Sequence, residues 1–290
     1  MGALRASAVL AGFVALTVPL MPVQAVLIRV SPNAARRFPH WYHRQVCRLM
    51  GITLDVEGQV ESGKSVLLVC NHTTWLDVPV LSALAPVSFV SKKEIGNWPF
   101  VSTLARLQRT VFVDRSKRHA AGDAASEIST RLASGDTIVL FAEGTTSDGN
   151  RVLPFLSSLF GAVKTGAAEQ AGTVVQTAAV VYTHLHGIPL ARSDRPRVGW
   201  YGDMEMQSHA WSILKSGPLK VTIKVSAPAP LESFSDRKEL ALSTERTIRR
   251  AVLSVLRGRR DGDEILPVEP DANRRKFRLP VMPASDEKWT

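Results

Sequence analysis

Hydrophobic and polar positions divide the chain into two regions. Residues 6 to 28, "ASAVLAGFVALTVPLMPVQAVLI", contain no charged side chain. Beyond Gly51 the pattern changes: short runs rich in Val and Ile, bounded by turn residues, alternate with longer stretches of helical period. The short runs predict strands over 65–70, 87–90, 110–113, 137–141, 174–182, 198–201 and 219–225. The longer ones predict helices over 76–84, 99–107, 118–134, 156–169, 206–215 and 236–257. Gly135-Asp136 marks a stop between a helix and the strand that follows it. Regular alternation of the two element types implies an α/β sheet covered by helices. After Arg257 prolines and scattered charges predict an irregular tail.

The uncharged N-terminal segment is long enough for a helix to cross a hydrocarbon layer of roughly 30 Å. Val23-Gln24-Ala25 also offers a signal-peptide cleavage site, but the apolar part is long for one. Pro19 and Pro22 interrupt helical continuity and permit a kinked or re-entrant insertion. Arg5 precedes the segment, whereas Arg29, Arg36, Arg37, Arg44 and Arg48 follow it. That asymmetry places the body of the protein on the cytoplasmic side of a cell membrane. The next stretch, "NAARRFPHWYHRQVCRLMGI", mixes basic residues with Phe38, Trp41, Tyr42, Val46 and Leu49. It predicts an interfacial amphipathic helix.

Charge and composition narrow the partners. The net charge is +10, from 36 Lys and Arg against 26 Asp and Glu, which favours an anionic surface or substrate. A hydrophobic content of 45% supports a sizeable core. Two cysteines, Cys47 and Cys70, make no disulfide framework and no metal-ligand spacing, which fits a reducing compartment. The chain lacks the interleaved aromatic and basic strand platform expected of a nucleic-acid binder.

Polar clusters fall at the ends of the apolar runs. Asn71-His72 ends one strand and Asp77 follows five residues later. One reading makes Asn71 a strand end and Thr73 or Thr74 a helix cap. The other makes His72 a base oriented by Asp77, because a carboxylate on one ring nitrogen leaves the other free to take a proton. "SKKEIGNWPF" brings Lys92 and Lys93, and "TVFVDRSKR" brings Asp114 and Arg115, whose guanidinium suits a phosphate or carboxylate. In "VLFAEGTTSDGN" a buried strand closes on Glu143, and a carboxylate in that position needs a partner or a task. Gly144 permits a tight loop.

Together "NHTTWLD", "KKEIGNWP", "VFVDR", "FAEGTT" and "VVQTAAV" resemble, in order, the motifs of the glycerolipid sn-2 acyltransferase family. The resemblance implies a central mixed sheet covered by helices, with an N-terminal membrane-inserted or amphipathic segment. It implies His72 as general base, Asp77 as its orienting partner, and Lys93, Arg115, Glu143, Gly144, Thr145 and Thr146 around the acceptor's polar head. Donors near Gly144 would face the developing oxyanion. The acyl donor would be an acyl-carrier protein or coenzyme A thioester, with no cofactor, no metal and no covalent enzyme intermediate.

Three departures from the motifs stand out. Ala142 and Thr177 replace family prolines, and Thr146 stands where phosphatidate-forming members carry Arg. Thr cannot supply that charge. "EGTTSDGNRVLPF" and "WYGDMEMQSHAW" resemble the branch that acylates lyso-ornithine lipid, in which Asp148, Asp203 and Glu205 would meet the ornithine ammonium. Lysophosphatidate is the alternative acceptor, with Arg115 or Arg151 on its phosphate. A non-enzymatic basic membrane-binding protein is the alternative of another class. The expected organisation is a membrane anchor over 1–50, an acyltransferase domain over 51–257 and a tail over 258–290.

Overall fold

A computed structural model describes residues 2–113, 118–163, 168–169 and 171–258. Two helices come first, α1 (Gly2–Val30) and α2 (Pro32–Met50). Helix α1 runs unbroken through Pro19 and Pro22, where the sequence pattern predicts an interruption. The junction between the helices is written locally. Ser31 caps α2 by accepting from the Ala34 N–H, Pro32 follows it, and Gly51 ends the helix at φ 74°, a value that glycine adopts without strain.

The body contains β1 (Ile52–Glu57), β2 (Val66–Cys70), α3 (Asp77–Leu84), β3 (Ser88–Lys92), α4 (Val101–Leu107), β4 (Val111–Val113), α5 (Arg118–Ala133) and β5 (Thr137–Phe141). Next come β6 (Val174–Leu185), β7 (Ile188–Pro189), α6 (Met206–Ser216), β8 (Leu219–Val225), β9 (Ala229–Pro230) and α7 (Arg237–Leu256). The strands form one mixed sheet in the order β1-β8-β6-β2-β5-β3-β4, with β7 and β9 added beside β6. Strand β2 lies parallel to both β5 and β6, and β3 parallel to β5 and β4, while β8 runs antiparallel to β6. The loops after β2, β3 and β5 therefore leave the same edge, where open α/β sheets bind ligands.

Every residue of β2 is buried, because each face of the sheet is covered. Val66, Leu68 and Cys70 join Leu76, Val80 and Leu81 beneath α2 and α3, with Val9, Val46 and Ile213 in the same cluster. Leu67 and Val69 face the other way, toward Ile128, Leu132, Phe160, Leu240 and Ile248. Period-two alternation thus feeds two cores.

Helix α1 is long and apolar enough to cross a membrane, yet it is tied to the body along its length. Arg5 donates to the Leu214 and Met50 carbonyls. Thr17 hydrogen-bonds the Tyr42 hydroxyl at 2.7 Å. Gln24 donates to the carbonyls of Ala35 at 3.0 Å and Leu107 at 2.9 Å. The opposite face exposes Leu10, Val14, Val18 and Val26. Helix α2 is secured as well: Arg36, Arg109 and Arg131 converge on buried Asp136 at 2.7 to 2.9 Å.

Three expectations are corrected. Residues 198–201 form no strand, because the Trp200 N–H is committed to the Thr73 carbonyl. Only a 3₁₀ turn, Ser157–Ala162, occupies the described start of the helix predicted over 156–169. Strand β1 is absent from the predicted set, although Ile52, Leu54 and Val56 alternate with polar residues. The tail from residue 259, Arg115 and its neighbours 114–117 lie outside the described residues.

Candidate active site

Chain direction changes sharply at Asn71, and the asparagine itself fixes the turn. Its Nδ2 donates to the Val180 carbonyl at 2.9 Å and its Oδ1 accepts from the Val180 N–H at 2.8 Å, so it continues the β2–β6 pairing through a side chain. His72 then leaves the sheet edge and lies flat on Phe141, with ring centroids 3.9 Å apart.

Asp77 opens α3 and is wholly buried. Its Oδ2 lies 2.8 Å from His72 Nδ1 and accepts from the backbone N–H groups of Thr73 at 2.7 Å and Thr74 at 3.0 Å. Its Oδ1 accepts from the Tyr182 hydroxyl at 2.8 Å. A carboxylate already serving these donors acts as an acceptor, so His72 carries its proton on Nδ1. Nε2 is left with the lone pair. Such a pair can take a proton from an alcohol as that alcohol attacks a carbonyl. Burial and the neighbouring Asp77 charge push the Tyr182 phenol well above its ordinary range, so it remains a donor.

Glu143 is turned inward, not toward an acceptor as the family resemblance implies. Its Oε1 accepts from the His72 N–H and its Oε2 from the Leu153 N–H, both at 2.8 Å. One carboxylate therefore ties the histidine backbone to the loop that follows β5. Burial pushes its pKa up to about 7, against the two N–H donors that favour the anion. The fold therefore takes up a proton on Glu143 between about pH 4.5 and 7, and its stabilising contribution is lost as pH rises through that window. Wild type should gain about 3 kcal/mol over Glu143→Gln as pH falls across the window, with the Gln variant flat at this site. Paired thermal melts at several pH values measure the difference; parallel curves would contradict the inward placement.

The remaining sequence candidates sit around this centre. Gly144 has φ 72°, and its N–H closes the turn on the Phe141 carbonyl, so that donor is already used. Thr145 is exposed and Thr146 half-buried on the same loop, whose Ser147 N–H donates to the His72 carbonyl at 2.9 Å. Lys93, itself exposed, starts a 3₁₀ turn after β3, at the same sheet edge. Two groups lay outside the sequence expectation. Tyr182 ends an apolar run in β6 with a hydroxyl, which is the signal that its tip has a buried partner. Trp75 donates from its indole to His209 Nδ1 at 3.1 Å, tying the stretch after His72 to α6.

Residues 52–195 match the family model described as Acyltransferase. The lyso-ornithine lipid O-acyltransferase of Brucella abortus is 43% identical over 260 residues, covering 89% of this chain and 97% of that protein. This chain belongs to the acyltransferase family. The lyso-ornithine lipid O-acyltransferase of Rhizobium meliloti is 38% identical and covers 83% of each chain. A 1-acyl-sn-glycerol-3-phosphate acyltransferase of Neisseria meningitidis is 30% identical over 72% of this chain and 78% of its own. The crystal structure of the 1-acyl-sn-glycerophosphate acyltransferase from Thermotoga maritima superposes with TM-score 0.63 at 22% identity, over 88% of this chain and 94% of that one. That likeness bears out the mixed-sheet fold. As an acyltransferase, the protein acts on an acyl donor and a lipid acceptor.

Proposed function

We propose that this acyltransferase moves a fatty acyl group from an acyl-carrier protein or coenzyme A thioester to the hydroxyl of lyso-ornithine lipid, giving ornithine lipid. The identity of 43% to a lyso-ornithine lipid O-acyltransferase, spanning 97% of that relative, carries the choice of acceptor. Thr146, in place of the Arg that suits a phosphate, supports the same choice.

His72 is the general base in this reading. Nε2 removes the proton of the acceptor hydroxyl as its oxygen attacks the thioester carbonyl, and Asp77 holds the ring by Nδ1 and stabilises the imidazolium that forms. The tetrahedral intermediate then expels the thiolate, which leaves with a proton. Asp77 and Glu143 are positioning residues here. Lys93, Gly144, Thr145 and Thr146 surround the acceptor's head, with Gly144 contributing loop shape.

The N-terminal helices, over 1–50, serve as the anchor of a domain spanning 51–257, on the cytoplasmic face of the inner membrane. Ties at Arg5, Thr17 and Gln24 run along α1, and a helix crossing the bilayer alone would abandon them. The exposed apolar face therefore lies within one leaflet, bringing the site to its lipid substrate and, through basic α2, to an anionic surface.

The test offers lyso-ornithine lipid and lysophosphatidate with one acyl thioester in vesicles. Preference for lyso-ornithine lipid is expected, and preference for lysophosphatidate rejects the assignment. Thr146→Arg should raise use of the phosphate acceptor by roughly tenfold, the scale of one charge-assisted hydrogen bond. No change would deny that position a role in headgroup selection.

A further inference from the structure

The segment between β7 and α6 lies directly against the His72 motif. The Trp200 N–H donates to the Thr73 carbonyl at 2.9 Å. Gly199 makes this approach possible: a Cβ there would lie 3.1 Å from the Ser147 carbonyl oxygen and 3.3 Å from the Asp148 carbonyl carbon. Two chemically opposite groups are presented from this one segment.

At one end is Arg195, which starts a short 3₁₀ turn. Its Nη1 donates to the neutral Asn150 Oδ1 at 2.7 Å. Arg151, Asn71 and Thr73 line the same depression. A half-buried guanidinium whose hydrogen bond goes to an amide keeps unspent capacity for an anion. Burial and nearby Arg192 lower its pKa, and the Asp148 carboxylate opposes them.

At the other end Trp200 meets Trp98, from the loop after β3, with centroids 6.4 Å apart and planes at 77°. Both indoles are only partly buried, and indole faces attract ammonium groups. Trp200 Nε1 donates to the Met204 carbonyl at 2.8 Å, which curls the exposed stretch carrying Asp203 and Glu205 back toward the pair.

We infer that segment 195–205 reads the acceptor as a zwitterion: Arg195 receives the headgroup carboxylate, and Trp200 with Trp98 receives its ammonium beside Asp203 and Glu205. The inference rests on the acceptor proposed above, since an ornithine amide-linked through its α-amino group retains one carboxylate and one side-chain ammonium. Lysophosphatidate has no cation to offer the tryptophans.

Acceptors trimmed of one charge each provide the test. The full-length protein is assayed in vesicles with one acyl thioester and three acceptors: lyso-ornithine lipid, its carboxyl methyl ester, and its side-chain N-acetyl derivative. Arg195→Met should lose roughly 10- to 100-fold in kcat/KM on the parent lipid and match wild type on the methyl ester. Trp200→Leu should lose about 2- to 30-fold on the parent and match wild type on the N-acetyl derivative. Trp98→Leu should repeat that pattern without altering segment 195–205, so the tryptophan arm survives poor folding of the Trp200 variant. Equal losses on all three acceptors would make these residues structural and overturn the inference. A wild-type enzyme that ignores lyso-ornithine lipid and acylates lysophosphatidate would reject the acceptor assignment itself, and that result precedes any variant.

Discussion

His72→Ala should lower the rate of acyl transfer by about 100- to 10,000-fold while the protein still folds and still binds vesicles. The rate loss follows from removing Nε2, the one ring nitrogen left with a lone pair once Nδ1 is committed to Asp77. The fold should survive for a specific reason. Asn71, through its two bonds to Val180, and Glu143, through the His72 backbone N–H, hold the chain where it leaves the sheet. Neither needs the imidazole. What the fold does lose is the stack on Phe141 and the Nδ1 hydrogen bond to Asp77, each a contribution of about 1 kcal/mol. Membrane association should be unchanged, because the exposed apolar face belongs to α1. The assay measures transfer to lyso-ornithine lipid alongside vesicle flotation. Near-wild-type transfer by a well-folded His72→Ala protein would remove the base from the mechanism. Loss of flotation together with activity would show instead that anchoring had been disturbed.

How far the sequence reaches is visible at individual residues. His72 and Asp77 were legible because both lie within one short motif, and local geometry lets a loop residue meet the first residue of the next helix. Tyr182 was not legible: it donates to Asp77 across 105 residues, and only the pairing of β6 beside β2 brings it there. The strand pattern predicted where Glu143 sits but not which way it points, since that depends on two backbone donors from separate loops. Trp200 lies in a β-prone run that reads as a strand, yet its one long-range backbone bond goes to the Thr73 loop and not to a ladder. Arg36, one of the basic residues of the predicted interfacial helix, is committed to Asp136 by tertiary contact. Periodicity thus locates elements and motif ends, whereas partners supplied by distant strands and loops emerge only with topology.

Asp77→Asn should be the more damaging change overall, because it strikes rate and stability together. Four donors converge on the Asp77 carboxylate: His72 Nδ1–H, two backbone N–H groups and the Tyr182 hydroxyl. An asparagine offers one oxygen and one NH2 group in their place. If the oxygen takes the position of Oδ2, three donors share a neutral acceptor, and the imidazolium formed during transfer loses its counter-charge. If the NH2 group takes it, two backbone N–H groups face a donor, and His72 must shift its proton to Nε2, where the base is required to be empty. Either orientation should reduce transfer by about 100-fold or more and cost about 1–3 kcal/mol in stability from buried unsatisfied groups. Tyr182→Phe separates the two effects. It removes one donor but leaves the His72–Asp77 contact in place, so stability should fall by about 1–3 kcal/mol while the rate falls by less than about tenfold. Thermal melts and kcat on the same preparations decide the outcome. A folded Asp77→Asn enzyme with a nearly intact rate would show that the carboxylate only braces the loop, and a Tyr182→Phe enzyme as inactive as the asparagine variant would move the phenol from support to chemistry.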